Sequence, residues 1–479
     1  MQNNILGQIY RINGFKVLVK VSEITLINDV FVQNYNTNFI SIACLVGTKL
    51  LDGRILILTI EEIYCKNEEI FFESSINGVY DQINENFQFG TDSYPIINED
   101  VFVLNDNILA YILAFNRFNY NTTIGSYIYN KEIPVGYNPN VLFGKHLGIF
   151  GNTGSGKTCT VVSLIQNYIR NNKQKNIKFI ILDINGEYKN AFYESEAEGF
   201  EFSSLRFHHS NLNNLEYGKL FRAAEGIQFP ALKSCIELLA KSENWNICDL
   251  KNLLTEWPQR NGVDRFSINQ LTGFLRSMML RIEAILADKD LIQVIDNNDD
   301  NDTIEKIKKS NKKVFILDLP VSSDSLDIVL YILFKKLYIE KRKQNFNSHV
   351  CLLLEEAHRY IEKNQEESKL GNYYIDKLAR EGRKFGISLI ISSQVPSMLS
   401  YEIISQCNSV IMHKITSKQD LEYLKNILRL SSSVFYSQMS ALEKQYAIVC
   451  GEAFPNDVVV KIHDAYPLPN SNDPVIKDL

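Results

Sequence analysis

The apolar and polar positions change their rhythm along the chain, and the changes mark its parts. Roughly the first 130 residues read as β structure: Gln8 to Ile12 and Phe15 to Val21 flank Asn13-Gly14, and Arg54 to Ile60 follows Asp52-Gly53, both hairpin dipeptides. Further β-rich runs at Ile70 to Glu73, Val101 to Leu104 and Ile124 to Ile128, spaced by turn residues, predict a small barrel. A different pattern then begins. His146 to Phe150 is a short apolar strand, Val161 to Ile169 repeats apolar residues at helical spacing, and Ile177 to Asp183, Val314 to Leu319, Val350 to Leu354 and Gly386 to Ser393 read as buried strands. Between the second and third of these strands, Leu215 to Ala240 and Ile268 to Ile295 have helical patterning, which predicts an inserted helical subdomain. The tract Asp296 to Asp302 closes it as a solvated linker, and Val460 to Leu479, with Pro467, Pro469 and Pro474, reads as an irregular arm. The fold class expected is α/β: a β-barrel over 1–135, a core over 136–200 and 311–459, a helical insertion over 201–310, and an arm over 460–479.

The stretch between the first core strand and its helix carries the strongest chemistry. Gly151-Asn152-Thr153-Gly154-Ser155-Gly156-Lys157-Thr158 fits G-x-x-x-x-G-K-[ST] in the required strand-loop-helix setting. Glycines at this spacing let successive N–H groups face phosphate oxygens, and the helix that follows presents its positive dipole end to the anion. Lys157 reaches the terminal phosphates and Thr158 places a hydroxyl for Mg²⁺, with Cys159 next in line. The plainer alternative is a glycine-rich turn of no chemical consequence.

Binding a nucleotide does not by itself hydrolyse it, and a metal-side acid and a water-activating group are needed. Val350 to Leu354 ends abruptly in Glu355-Glu356-Ala357-His358, so two carboxylates leave a strand end together, where ligands of parallel sheets bind. Glu355 would belong to the Mg²⁺ shell and Glu356 would polarise the attacking water, since phosphoryl transfer depends on positioning and charge stabilisation. A solvated Glu-Glu pair capping a helix is the alternative, and the phosphate loop in the same chain tips the balance against it. Gln394, at the end of the last strand, is placed to sense the terminal phosphate. Arg380 and Arg383, on a cationic helix end between Lys377 and Lys384, suit charge that spreads over phosphoryl oxygens, and one supplied by a neighbouring subunit would make hydrolysis depend on assembly; either also reads as part of a solvated helix face.

Composition narrows the setting. A chain of 479 residues with 45% hydrophobic content has more than one core, and two domains is the prior. A net charge of −6 excludes a broadly basic coat, so a nucleic-acid site must be local, such as a channel lining. Lys335-Lys336 and Lys341-Arg342-Lys343 lie on an expected helix and read as a solvated face rather than a DNA contact. Eight scattered cysteines with no C-x-x-C pair read as thiols of a reducing cytosol, and no apolar run approaches the length needed to span a bilayer. These features point to a cytoplasmic protein with no membrane partner. His208-His209, His358 and His413 make no metal constellation, and no zinc is expected.

Lys145-His146, GNTGSGKT, Asp183-Ile184-Asn185-Gly186-Glu187-Tyr188, LLLEEAH, AREGRKFG and SSQVPS together resemble the HerA family of hexameric DNA-translocating ATPases, within the FtsK-HerA group of P-loop enzymes. The resemblance runs through most of the chain. It implies a RecA-like core behind a barrel of the HAS type shared with rotary ATP synthases, ATP and Mg²⁺ as cofactors, and a homohexameric ring around double-stranded DNA. It makes Lys157 and Thr158 the nucleotide-loop residues, Glu355 the metal-side acid, Glu356 the catalytic glutamate, Gln394 the sensor, and Arg383 or Arg380 the arginine that crosses a subunit boundary. Lys145 falls where the family has another cation near the nucleotide, and Asp183 on the acidic position ending the second strand. One departure is Glu355, where P-loop enzymes usually carry Asp.

The resulting expectation is an ATP-driven translocase or helicase that works with a nuclease or other effector, in DNA end processing or antiphage defence. Two alternatives stand beside it: an ATP-stabilised ring scaffold that activates an effector, and a conjugative or secretion-type pump ATPase.

Overall fold

A computed structural model describes residues 5–22, 41–114, 122–242, 245–296, 302–319, 323–359, 361 and 370–470. Most of the expected linker after Asp296 and the arm beyond residue 470 therefore lie outside the described residues. The chain divides into two compact units, one of residues 1–175, 390–397 and 404–479, the other of residues 176–389 and 398–403.

The first unit opens with a barrel. Strands β1 (Ile5–Asn13) and β2 (Lys16–Val21) form the hairpin expected at Asn13-Gly14, with Asn13 opposite Lys16. With β3 (Leu45–Lys49), β4 (Ile55–Lys66), β5 (Glu69–Asp81), β6 (Asn86–Phe89) and β7 (Asp100–Val103) they make an antiparallel sheet in the order β2-β1-β7-β3-β4-β5-β6. Pairing of β2 with β5, Val17 opposite Ser74, closes six strands and leaves β6 outside. Closure removes the open edges that would otherwise pair with another chain. Alternate residues fill the barrel: Leu6, Ile9, Val17, Val19, Val46, Leu56, Leu58, Phe72 and Val101 are buried together. The run Ile124 to Ile128, read from sequence as part of the barrel, does something else. It forms β8 (Thr123–Tyr127), which pairs with β9 (Asn130–Gly136) and, at the other end of the sequence, with β18 (Val458–Ile462). A strand pattern marks a pleated half-buried surface without naming its partner, and here the partner is more than 300 residues away in sequence.

The remainder of the first unit is a mixed sheet. β10 (His146–Phe150) lies between the end of β15 (Ile387–Ser393) and β16 (Cys407–Met412), parallel to both. Antiparallel strands β17 (Tyr446–Gly451), β18, β8 and β9 continue it. All five residues of β10 are buried, as a central parallel strand covered on both faces requires. Helix α1 (Lys157–Asn171) follows the loop after β10 and buries Val161, Val162, Leu164, Ile165, Tyr168 and Ile169.

In the second unit, β12 (Ala197–Phe200), β13 (Val314–Asp318), β11 (Ile177–Asp183) and β14 (His349–Leu354) are parallel neighbours in that order, with the first residues of β15 beyond β14. Their carboxyl ends therefore sit side by side. The helical insertion expected between β11 and β13 is present, but its two long stretches are broken. Leu215 to Ala240 becomes helices Asn214–Leu220 and Gln228–Leu239, interrupted where Arg222 takes φ 47°. Ile268 to Ile295 becomes Arg265–Ala287 and Lys289–Ile295. Asp288 makes the second break, because its extended backbone ends one helix while its carboxylate accepts the Leu291 N–H at 3.0 Å and starts the next. Among the described residues no helix is long and apolar enough to cross a membrane, and none of the eight cysteines is in a disulfide.

The basic residues on helix α2 (Ser323–Arg342) are not uniformly a solvated face. Lys335 is buried against Glu216, Lys336 pairs with Asp302, and Lys341 is buried while donating to the carbonyls of Phe346 at 2.9 Å and Ser348 at 2.6 Å. Arg342 and Lys343 alone of the five are exposed.

Candidate nucleotide site

In the first unit the loop after β10 is shaped by its glycines. Gly151, Gly154 and Gly156 have φ of 156°, 71° and 111°. A Cβ on Gly151 would lie 2.6 Å from His413 Cβ, and one on Gly156 would lie 3.3 Å from the backbone of Gln445, so the loop is pressed against two neighbouring turns. Asn152 is tied twice: its N–H donates to the Lys414 carbonyl at 2.8 Å and its amide to Thr416 Oγ1 at 2.7 Å. Ser155 Oγ donates to the Asn152 carbonyl at 2.7 Å, and Lys157 Nζ to the same carbonyl at 3.0 Å. The Thr153 hydroxyl donates to Gln394 Oε1, so the expected sensor touches the loop directly. Helix α1 begins at Gly156 with no side-chain cap, which leaves its first N–H groups directed along the loop.

Beneath the loop is a histidine that sequence reasoning set aside. His413 N donates to the Phe150 carbonyl, and the ring is fully buried with Nδ1 3.0 Å from the Tyr446 carbonyl and Nε2 2.9 Å from Thr160 Oγ1. A carbonyl only accepts, so Nδ1 carries the proton and Nε2 accepts from the threonine. Burial first, and then the Lys157 ammonium, push this imidazole down to about 3, so it is neutral across the physiological range. The turn at Gln445 is the second missed contact: its N–H donates to the Ser155 carbonyl at 3.0 Å. Neither carries a signal in sequence, since each is brought to the loop by a distant strand. Thr158 and Cys159 are half-buried on the first turn of α1, and Lys145 ends a short helical turn where its ammonium pairs with Glu452.

In the second unit, acids gather at the carboxyl ends of the parallel strands. Leu182 is opposite Leu354, and Asp183 is opposite Asp318, so Glu355, Asp183 and Asp318 leave three adjacent strand ends. Asp318 went unassigned in sequence although it ends an apolar run as Asp183 does. Asp183 is buried and its carboxylate is engaged by the chain itself, accepting the N–H of Glu187 at 3.1 Å and of Tyr188 at 3.0 Å. Desolvation raises its pKa and those backbone bonds oppose the rise. Glu355 and Glu356 are each 4% exposed. Glu356 takes φ 46°, a left-handed conformation that a non-glycine residue adopts at a cost of about 1 kcal/mol, and its Oε2 is 3.3 Å from His358 Nδ1. Strain of that kind collects at functional positions. Arg380 is exposed on the last turn of helix Leu370–Glu381, and Arg383 is partly exposed on the 3₁₀ turn Gly382–Phe385 that follows.

Residues 122–337 match the family described as helicase HerA, central domain. The chain is 27% identical to the DNA double-strand break repair helicase HerA of Sulfurisphaera tokodaii, over 78% of this chain and 74% of that one. It is 23% identical to a probable helicase of Methanocaldococcus jannaschii, over 89% of this chain and 86% of that one. Among solved structures, VirB4 of Thermoanaerobacter pseudethanolicus superposes with a TM-score of 0.53 at 12% identity, over 72% of this chain and 97% of that one. That likeness is one of fold, the RecA-like core of P-loop ATPases.

Proposed function

We propose that this chain, a P-loop ATPase whose residues 122–337 match the central domain of the HerA helicases, uses ATP turnover to drive movement along double-stranded DNA, as a homohexameric ring that serves a nuclease or other effector in DNA end processing or antiphage defence. The observation that carries the catalytic half of this reading is the preformed loop: three glycines in conformations side chains avoid, a buried Lys157 folded onto it, and an uncapped helix behind it. The DNA half is supported by the relatives named as DNA repair helicases.

The roles follow from chemistry. The loop N–H groups and Lys157 hold the phosphates, Gln394 reports the terminal one through Thr153, and Glu356 polarises the attacking water by accepting its hydrogen bond. Arg383, or Arg380, is supplied across a subunit boundary, which makes turnover depend on assembly. Thr158 and Glu355 would hold Mg²⁺, whose part is to neutralise charge on the phosphates. Both are hard oxygen donors, and magnesium is usually held by one or two such groups plus phosphates. Each residue by itself therefore offers a donor that suits the ion, and no metal-binding cluster of three or more acids, histidines or cysteines occurs among the described residues. The six-stranded barrel, whose last strand is β7, and the helical insertion over 201–310 are read as a collar and an inserted subdomain; β8, β9 and β18 belong to the core sheet, so the arm that would reach a neighbouring subunit starts after Ile462.

A second reading, the ATP-stabilised scaffold, is favoured by Glu355 alone, whose extra methylene alters how a metal shell is reached. Displacement of a third strand from linear triplex DNA separates the two. A motor strips it with ATP and fails to do so with Glu356→Gln; a chain that assembles with ATP yet never strips it sinks the motor and leaves the scaffold.

A further inference from the structure

Tyr188 stands out among the buried side chains that the roles above leave unused. The loop after β11 folds back because Asp183 accepts the N–H groups of Glu187 and Tyr188, with Gly186 turning the chain at φ 70°. The tyrosine is carried inward until none of it is exposed, and its hydroxyl makes no hydrogen bond to any described residue. It lies in an acidic environment. Burial raises its pKa well above the ordinary tyrosine value, and Glu355, Glu187, Asp183 and Glu356, in that order, raise it further. The phenol therefore keeps its proton, and of these four carboxylates Glu355 disfavours its ionisation most. β11 and β14 are adjacent, with Leu182 opposite Leu354, which sets the loop that bears Tyr188 beside the strand end that bears Glu355.

A buried donor with no acceptor is costly, and a phenylalanine of the same shape would avoid the cost. An orphaned buried hydroxyl of this kind points to a partner acquired in another state of the site. We propose that Tyr188 is a positioning residue of the hydrolytic centre, its hydroxyl donating to the Glu355 carboxylate when nucleotide is bound and so fixing which carboxylate oxygen is left to meet the magnesium nucleotide. The inference rests on the reading of Glu355 and Glu356 as the hydrolytic acids. A carboxylate that carries one fixed hydrogen bond has one orientation, which is what a glutamate longer than the usual aspartate requires at this position.

The test is Tyr188→Phe beside wild type and Glu356→Gln. Tyr188→Phe should unfold at the same temperature as wild type or higher, lose about tenfold or more in kcat with KM for ATP within about twofold, and need several-fold more Mg²⁺ for half-maximal rate. A merely structural tyrosine would not move the magnesium requirement. Wild-type kcat and magnesium dependence in Tyr188→Phe overturn the proposal while leaving the hydrolytic acids intact, and so does a drop in unfolding temperature, which would show that the hydroxyl is already paired. Hydrolysis at the wild-type rate by Glu356→Gln overturns the reading of the acids and this inference together.

Discussion

His413 shows how one residue couples the loop to the rest of the first unit. Its ring bridges the Tyr446 carbonyl and the Thr160 hydroxyl directly under Gly151, and both bonds require the neutral form with the proton on Nδ1. The unfolded chain protonates this histidine near 6.5 and the folded chain only near 3, so between those values the unfolded state binds more protons. Stability is thus intact above the unfolded value and is lost as pH falls below it, by up to about 1.4 kcal/mol per pH unit from this group. Urea unfolding of wild type and His413→Gln at several pH values from about 7.5 to about 5 isolates it: the variant, less stable at the top of the range, should show a slope shallower by roughly that amount. Parallel slopes would mean that the histidine titrates normally. None of this was legible in sequence, where His413 stood only as a member of an absent metal site. The loop it supports was fully legible, because the glycines, Lys157 and Thr158 are consecutive and their chemistry is local.

Among elements, the clearest case is the junction of three helices around Glu216. This carboxylate accepts the Asn213 N–H at 2.7 Å and so caps helix Asn214–Leu220. It also pairs with Lys335 of α2 and accepts from Tyr374 Oη at 3.2 Å on helix Leu370–Glu381. Lys335 and Glu216 have side chains 7% and 9% exposed, so removing one charge strands the other in a dry interior. Lys335→Ala should cost about 3–5 kcal/mol in chemical denaturation, and Lys335→Met with Glu216→Gln should recover much of it. A loss under about 1 kcal/mol for the single change would place the pair in solvent. The sequence showed Lys335-Lys336 as a basic helix face because periodicity reports which residues share a face and is silent on what covers it. The same limit explains β8, whose strand character was legible and whose partner β18 was not. Strand ends were legible: Asp183, Glu355 and Glu356 all fall where apolar runs stop. Their neighbour Asp318 and the buried Tyr188 come into view only when the order β13-β11-β14 is known.

For the whole molecule, the α/β class with an RecA-like core and a barrel in front of it was readable from turn dipeptides, strand runs and one phosphate motif, and the fold agrees. A chain of net charge −6 must confine any DNA contact to a local surface, since duplex DNA repels the molecule as a whole. DNA therefore enters the account through its effect on turnover. The most direct measurement is steady-state ATP hydrolysis by the assembled protein with and without linear duplex DNA, at low and moderate salt. The account predicts hydrolysis that rises several-fold with DNA, weakens as salt increases, and disappears in Glu356→Gln. Hydrolysis indifferent to DNA at every salt concentration would contradict it.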